Sequence, residues 1–96
     1  MSSVGILVAG GNHFIVRGPE PSHDEARALA RFWSLIQIGR ETPDALRAWR
    51  ISTREYREEL EWARIMAMDE APSQAVAVLL EELAARGIAI ETVTMK

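Results

Sequence analysis

Few residues of this chain could bind a ligand by their type and spacing, and His13 and Arg17 are the best placed of them. Both lie in a run of β-forming residues, where positions an even number apart point to the same face of a strand. An imidazole beside a guanidinium can hold a small anionic ligand through charge-assisted hydrogen bonds, and Arg50 could complete such a site. The sequence favours a simpler interpretation, a histidine hydrogen-bonded at a sheet edge, because no further group converges on the pair.

Signatures of catalysis and metal binding are missing from the sequence. It contains no cysteine and only two histidines, which excludes thiol chemistry and a closed zinc site built from four such ligands. Gly10 and Gly11 lack the spacing of a phosphate-binding loop and precede a strand, so we interpret them as turn residues. Three serines, Ser22, Ser52 and Ser73, occupy positions typical of helix caps. We therefore predict no catalytic residue, no metal and no cofactor, and favour a protein that is not an enzyme.

Glutamates and arginines alternate at spacings of three and four residues between Arg54 and Arg64. On a helix this pattern is typical of a solvated face with weak ion pairs, each worth about 0.2–0.5 kcal/mol. Nothing in the segment predicts an apolar pocket that would raise the pKa of a carboxyl group, so acid–base catalysis is not expected. The glutamates concerned are Glu55, Glu58, Glu59 and Glu61.

The three tryptophans each lie close to an arginine in the sequence. Arginines interleaved with aromatic residues can stack on nucleobases, and the same residue types are enriched at the energetic centres of protein interfaces. We expect Trp33 and Trp62 to lie in the core, and Trp49 and Arg50 to lie at an interface with a protein partner. The formal net charge of −3 makes nucleic acid a less favoured partner, because binding phosphates normally requires a basic excess.

Composition limits the class of protein. A chain of 96 residues makes one domain with a single modest core. Ten of the eleven basic residues are arginine, a bias typical of GC-rich bacterial genomes, and the lack of cysteine fits a reducing cytoplasm. The longest apolar run is far shorter than the roughly 20 residues of a membrane span, and the N-terminus lacks the positive region of a secretory signal. We expect a bacterial cytoplasmic protein without membrane contact.

The first third of the chain predicts a β-hairpin. Two β-forming runs, 4–9 and 13–17, flank a segment that suits a two-residue type I′ turn at Gly10-Gly11 or at Gly11-Asn12. Either turn separates the side chains into two faces that are both apolar near the middle. We expect cover on both faces, for instance helices on one and another subunit on the other. One face holds Leu7, Ala9, Phe14 and Val16, and the other holds Val4, Ile6, Val8, His13, Ile15 and Arg17.

Helical segments follow the hairpin. Two of them begin with a capping box, in which a serine and a glutamate three residues later satisfy each other's backbone N–H groups. Pro43 marks the first position of a short helix through Trp49. Leucine spacing predicts a last helix from Ser73, which Gly87 ends in a Schellman motif. The boxes are Ser22 with Glu25, opening a helix to about residue 38 that Gly39 ends, and Ser52 with Glu55.

Residues 61–68 can be interpreted in two ways. They are mostly good helix formers, but they also form a short apolar run followed by a break around Pro72, as in a buried strand. We favour the strand, which would make 61–95 a strand–helix–strand unit with parallel pairing. Residues 88–94 form a further strand, either beside the hairpin or beside 61–68.

The elements together predict a single α+β domain over residues 1–96, in the order ββα(α)α(β)αβ, with a sheet of about three or four strands and helices on one face. Because both faces of the hairpin are apolar, we expect a homodimer through the uncovered face or through the Trp49 region. The favoured function is a non-enzymatic interaction or accessory module that works as a homo-oligomer. A binder of a small anion at His13 and Arg17, or an enzyme acting there, is the alternative, and a nucleic-acid-associated factor comes third.

Overall fold

Two strands, four helices and a final strand follow one another along the part of the chain that the computed structural model describes, residues 3–9, 12–36, 43–68 and 72–94. The strands are β1 (Ser3–Ala9), β2 (Asn12–Arg17) and β3 (Ala89–Thr94), and the helices are α1 (His23–Ile36), α2 (Asp44–Ala48), α3 (Thr53–Met68) and α4 (Pro72–Ala85). The sheet has the order β1-β2-β3, and both strand pairs are antiparallel. The predicted α+β class, with an N-terminal hairpin and a C-terminal strand in one small sheet, is confirmed.

The hairpin register agrees with one of the two predicted turns. Ala9 pairs with Asn12, which leaves two residues between the strands and excludes the turn at Gly11-Asn12. The type of the turn lies outside the described residues. Leu7 pairs with Phe14, and both are buried together with Val16 on the face that the helices cover, as the predicted separation of faces requires.

Residues 61–68 are helical, so the predicted strand is wrong. They form the second half of α3, because Leu60 and Ala63 continue a buried stripe that starts at Tyr56 with spacings of three and four residues. The helix propensity of the segment therefore agrees with its packing. In place of the predicted parallel unit, β3 pairs antiparallel with β2, the central strand of the described sheet.

Both predicted capping boxes are confirmed. The Ser22 N–H donates to Glu25 Oε1 at 2.9 Å, and the Glu25 N–H donates to Ser22 Oγ at 3.2 Å. The same reciprocal bonds join Ser52 and Glu55 at 3.0 and 3.1 Å. These bonds satisfy N–H groups that the first turn of a helix leaves without intrahelical partners, so they define where α1 and α3 begin.

The other helix ends agree in part with the prediction. Gly87 has a φ of 84° and ends α4, where the Ile88 N–H donates to the Leu83 carbonyl at 2.9 Å as in a Schellman motif. Pro43 precedes α2 instead of opening it, and Ser73 lies inside α4 because that helix begins one residue earlier. The predicted end of α1 at Gly39 lies outside the described residues.

Helix α1 covers the core face of the sheet. The Phe14 ring of β2 meets Phe32 and Trp33 of α1 edge to face, with ring centroids 6.0 and 6.1 Å apart. Helices α3 and α4 pack on α1 in turn and bring Tyr56 and Leu83 into the same core. The predicted core position of Trp33 is confirmed.

Trp49 also lies in the core, so its predicted exposure at an interface is wrong. The residue is 7 % exposed, and its ring lies so close to β1 that a Cβ atom at Gly5 would come within 2.5 Å of ring atom Cζ2. Glycine at position 5 permits this approach. Leu46, before Trp49 in the sequence, and Ile51, after it, are also buried. Helix α2 and the turn after it therefore close the core beside β1.

We predict that Trp49→Ala lowers the free energy of unfolding by about 3–5 kcal/mol, because it removes a buried aromatic side chain and leaves a cavity. Urea unfolding followed by circular dichroism measures the loss. Trp62→Ala is the matched control, since that ring is partly exposed and its truncation should cost about 1–2 kcal/mol. Equal losses in the two variants would contradict the core position of Trp49.

Candidate functional site

The sheet face that points away from the core carries apolar side chains and no cover within the described structure. Ile6 and Ile15 are paired neighbours there, and Val93 of β3 pairs with His13. Ile6 is 52 % exposed, whereas Ile15 and Val93 are partly buried by their neighbours. We call this surface the open sheet face and define it by Ile6, His13, Ile15, Arg17, Glu91 and Val93.

His13 and Arg17 share the open sheet face, but the structure does not bring them together. They are four positions apart along β2, about 13 Å in an extended strand, which is too far for both to hold one small anion. Arg17 Nε donates to Glu91 Oε2 at 3.0 Å, so the guanidinium already has a carboxylate partner on β3. His13 and Arg17 therefore lie on one face of the sheet, as the sequence predicts, but they do not form an anion site.

Arg50 lies elsewhere, in a cleft of about 350 Å³ beside the end of α2. Its backbone is left-handed, with a φ of 66°, at a helix end where glycine is the usual residue. Glu20 and His23 line the same cleft, and His23 also contacts Glu55. Because the cleft mixes charges of both signs, it does not concentrate positive charge for an anion. A contribution of Arg50 to an interface stays a prediction.

The buried carboxylate of Glu59 joins α3 to α1 through two arginines. Glu59 is only 3 % exposed. Arg31 donates from Nε and Nη2 to both of its carboxylate oxygens at 3.0 to 3.2 Å, and Arg27 Nε donates to one of them at 3.4 Å. A buried carboxylate requires such partners, because an unpaired buried charge is strongly destabilising. The prediction that Glu59 lies on a solvated helix face is therefore wrong. The sequence does carry a signal for its burial, because Glu59 lies three residues after Tyr56 in the buried stripe of α3.

Glu55 belongs to the same end of α3. Its carboxylate accepts the Ser52 N–H of the capping box and contacts His23. These contacts, the Ser52 bond foremost, lower the pKa of Glu55 from 4.5 to about 2. Because the pKa in the folded state lies below the ordinary value, the contribution of this carboxylate to stability is complete above about pH 4.5 and is lost as the pH falls towards 2.

A second surface is a groove of about 360 Å³ between α3 and α4, which we call the α3–α4 groove. Arg31 of α1 contributes to its wall, and the guanidinium lies over the Trp62 ring, 5.1 Å from the centroid. Trp62 therefore lines a groove, and its predicted place in the core is wrong. The residues that define the groove with Arg31 are Trp62, Met66, Gln74, Ala75, Val78, Leu79 and Glu82.

The described residues offer little for the remaining ligand classes. Trp33 and Trp49 are buried and Arg31 lies over one face of the Trp62 ring, so a cluster of free aromatic faces for stacking bases is not found among them. Within the described ranges, no group of three or more histidine, aspartate or glutamate side chains could hold a metal ion. None of the described helices is long and apolar enough to cross a membrane.

No protein-family model, curated protein or solved structure matches the chain. The chemistry of the residues therefore defines the candidate surfaces by itself. They are the open sheet face and the α3–α4 groove, and both are apolar surfaces edged by charged groups.

We predict that Glu59→Gln lowers the free energy of unfolding by about 2–3 kcal/mol, because it leaves the partly buried guanidinium groups of Arg27 and Arg31 without their carboxylate. Urea unfolding at neutral pH measures the change. Glu58→Gln is the matched control on the same helix, since Glu58 is exposed and its ion pairs are 3.9 Å long, and it should cost less than about 0.5 kcal/mol. Similar values for the two variants would contradict the structural role of Glu59.

Proposed function

We propose that this protein is a non-enzymatic interaction module that works as a homodimer joined through the open sheet face. The observation that carries the proposal is the apolar character of this face, where Ile6 is more than half exposed beside Ile15. A small sheet with one bare apolar face gains free energy by burying that face against another molecule. A dimer through Trp49 has no such support, because that ring belongs to the core.

The charges of the open sheet face suit a second copy of the same chain. Arg17 and Glu91 form an ion pair within the face, so together they add no net charge to it. Two copies related by a twofold axis bring the same patch together, and the patch must therefore be complementary to itself. An apolar face with one balanced ion pair meets this requirement, whereas a face of like charges would oppose the contact. Face-to-face packing of two sheets is a common arrangement in proteins.

The size of the face sets the expected strength of the dimer. Three strands of about six residues form a face of roughly 14 Å by 20 Å. A standard protein interface takes about 800 Å² from each partner, so this contact belongs to the small class. We therefore expect a dissociation constant that is roughly micromolar or weaker, and a dimer that forms as the concentration rises.

Composition supports a bacterial cytoplasmic setting for the module. Ten arginines against one lysine are typical of a GC-rich bacterial genome, and a chain without cysteine suits a reducing compartment. The other candidate functions have less support. His13 and Arg17 do not converge on an anion, and two of the three tryptophans that could stack on bases, Trp33 and Trp49, are buried.

Substitution of Ile6 tests the proposed dimer. We expect the wild type to pass from monomer to dimer with rising concentration in sedimentation velocity, and Ile6→Lys to remain monomeric because a lysine on each copy opposes face-to-face packing. Val78→Lys is the matched control, because Val78 is 53 % exposed but lies in the α3–α4 groove. Circular dichroism verifies that each variant is folded, and Val93→Lys on the other edge strand replaces Ile6→Lys if that variant unfolds.

Three outcomes would contradict the dimer. The first is a wild type that stays monomeric at every concentration. The second is a folded Ile6→Lys variant that dimerises as the wild type does. The third is a dimer that Val78→Lys abolishes and Ile6→Lys preserves, because it would place the contact in the α3–α4 groove.

A further inference from the structure

The α3–α4 groove shares no residue with the open sheet face, so the proposed dimer leaves it without a role. We propose that this groove docks the apolar face of a short, basic amphipathic helix from a partner protein. The inference does not rest on the dimer, and it names the kind of partner that an interaction module of this fold would recognise.

The groove has the dimensions and the lining of a helix-binding site. Its residues on α4 extend from Gln74 to Glu82, about 12 Å or two helical turns. Trp62 and Met66 line the opposite wall one turn apart on α3, above the buried floor of Leu79. Tryptophan is a frequent anchor of protein interfaces, and methionine adapts its shape to different partners. An incoming helix with apolar residues at spacings of three and four would place one side chain per turn in this groove.

The Trp62 wall is held in position before a partner binds. Arg31 lies over the Trp62 ring at 5.1 Å while it donates to both carboxylate oxygens of Glu59. Glu59 is buried between α1 and α3, so the chain of contacts from Glu59 through Arg31 to Trp62 is anchored in the protein interior. Side chains that are ordered in advance lose less conformational entropy on binding, which favours the association.

The charges at the margin of the groove favour a basic helix. The positive charge of Arg31 is already paired with Glu59. Glu82 lines the groove and makes no ion pair within the described part of the chain, so it leaves a negative charge without a partner. It lies one turn beyond Val78 on α4, and a lysine or arginine one turn from the apolar anchor of a partner helix would reach it. An acidic residue at that position would be repelled.

Model peptides of defined charge test the proposal on the full-length protein. The probe is a fluorescently labelled peptide of about 18 residues, with leucines at helical spacing and lysines elsewhere. One control peptide has glutamate in place of every lysine, and a second has the composition of the probe in scrambled order. We expect fluorescence anisotropy to show binding of the lysine peptide about tenfold tighter than either control.

Two pairs of matched variants locate the binding site. Glu82→Lys and Glu81→Lys change the net charge equally, but only position 82 lines the groove. Glu82→Lys should weaken the lysine peptide about tenfold, and Glu81→Lys less than about twofold. In the same way, Val78→Gln should weaken binding about tenfold, because the valine side chain is no longer buried against the peptide. The matched control is Ala77→Gln at the exposed neighbouring position, which should not weaken binding.

Several results would overturn the proposal. Equal binding of the scrambled peptide would show that charge alone drives association, and equal effects of Glu82→Lys and Glu81→Lys would show that binding lies outside the groove. Failure of the lysine peptide to bind the folded wild type also overturns it. Self-association lost in Val78→Lys but kept in Ile6→Lys would identify a second copy as the occupant.

Peptide binding by a wild type that stays monomeric would support the groove and contradict only the dimer.

Discussion

Helix α1 lies between the sheet and the helix pair α3 and α4, and the other contacts of the fold depend on this position. Towards the sheet, Phe32 and Trp33 meet the Phe14 ring of β2 edge to face. Towards α3, its Arg27 and Arg31 bind the buried carboxylate of Glu59. Because the described helices pack on the same side of the sheet, the opposite side keeps apolar residues that no described element covers.

The two candidate surfaces follow from this layering, and the contacts proposed for them differ. The ion pair of Arg17 and Glu91 balances the charge of the open sheet face, which suits a contact between identical copies. The α3–α4 groove is concave, has an ordered aromatic wall and carries Glu82, which makes no ion pair with the described residues; these features suit the proposed recognition of a different molecule. In the proposed dimer the two sheets meet at the centre and the helical layers face outwards. Each dimer would then present two grooves, and a partner with two such helices would gain avidity.

The extent to which the sequence predicts this structure depends on how far apart the interacting residues lie. The capping boxes, the Schellman motif at Gly87 and the two faces of the hairpin were predictable because each depends on backbone geometry within a few residues. The burial of Trp49 could not be predicted, because it depends on Gly5, which has no side chain and lets the ring pack against β1. The burial of Glu59 could not be predicted either, because its partners lie on α1, and Arg31 is 28 residues away in the sequence. The groove depends on how α3 and α4 pack on α1, and spacing along one helix does not encode that arrangement.

Intermolecular nuclear Overhauser effects between methyl groups test the central claim most directly. A sample mixed from isotopically labelled and unlabelled wild-type protein reports only contacts between two copies. A dimer joined through the open sheet face predicts intermolecular effects among the methyl groups of Ile6, Ile15 and Val93, which lie together on that face. Intermolecular effects confined to Val78 and Met66 of the groove, or none in a concentrated sample, would contradict it.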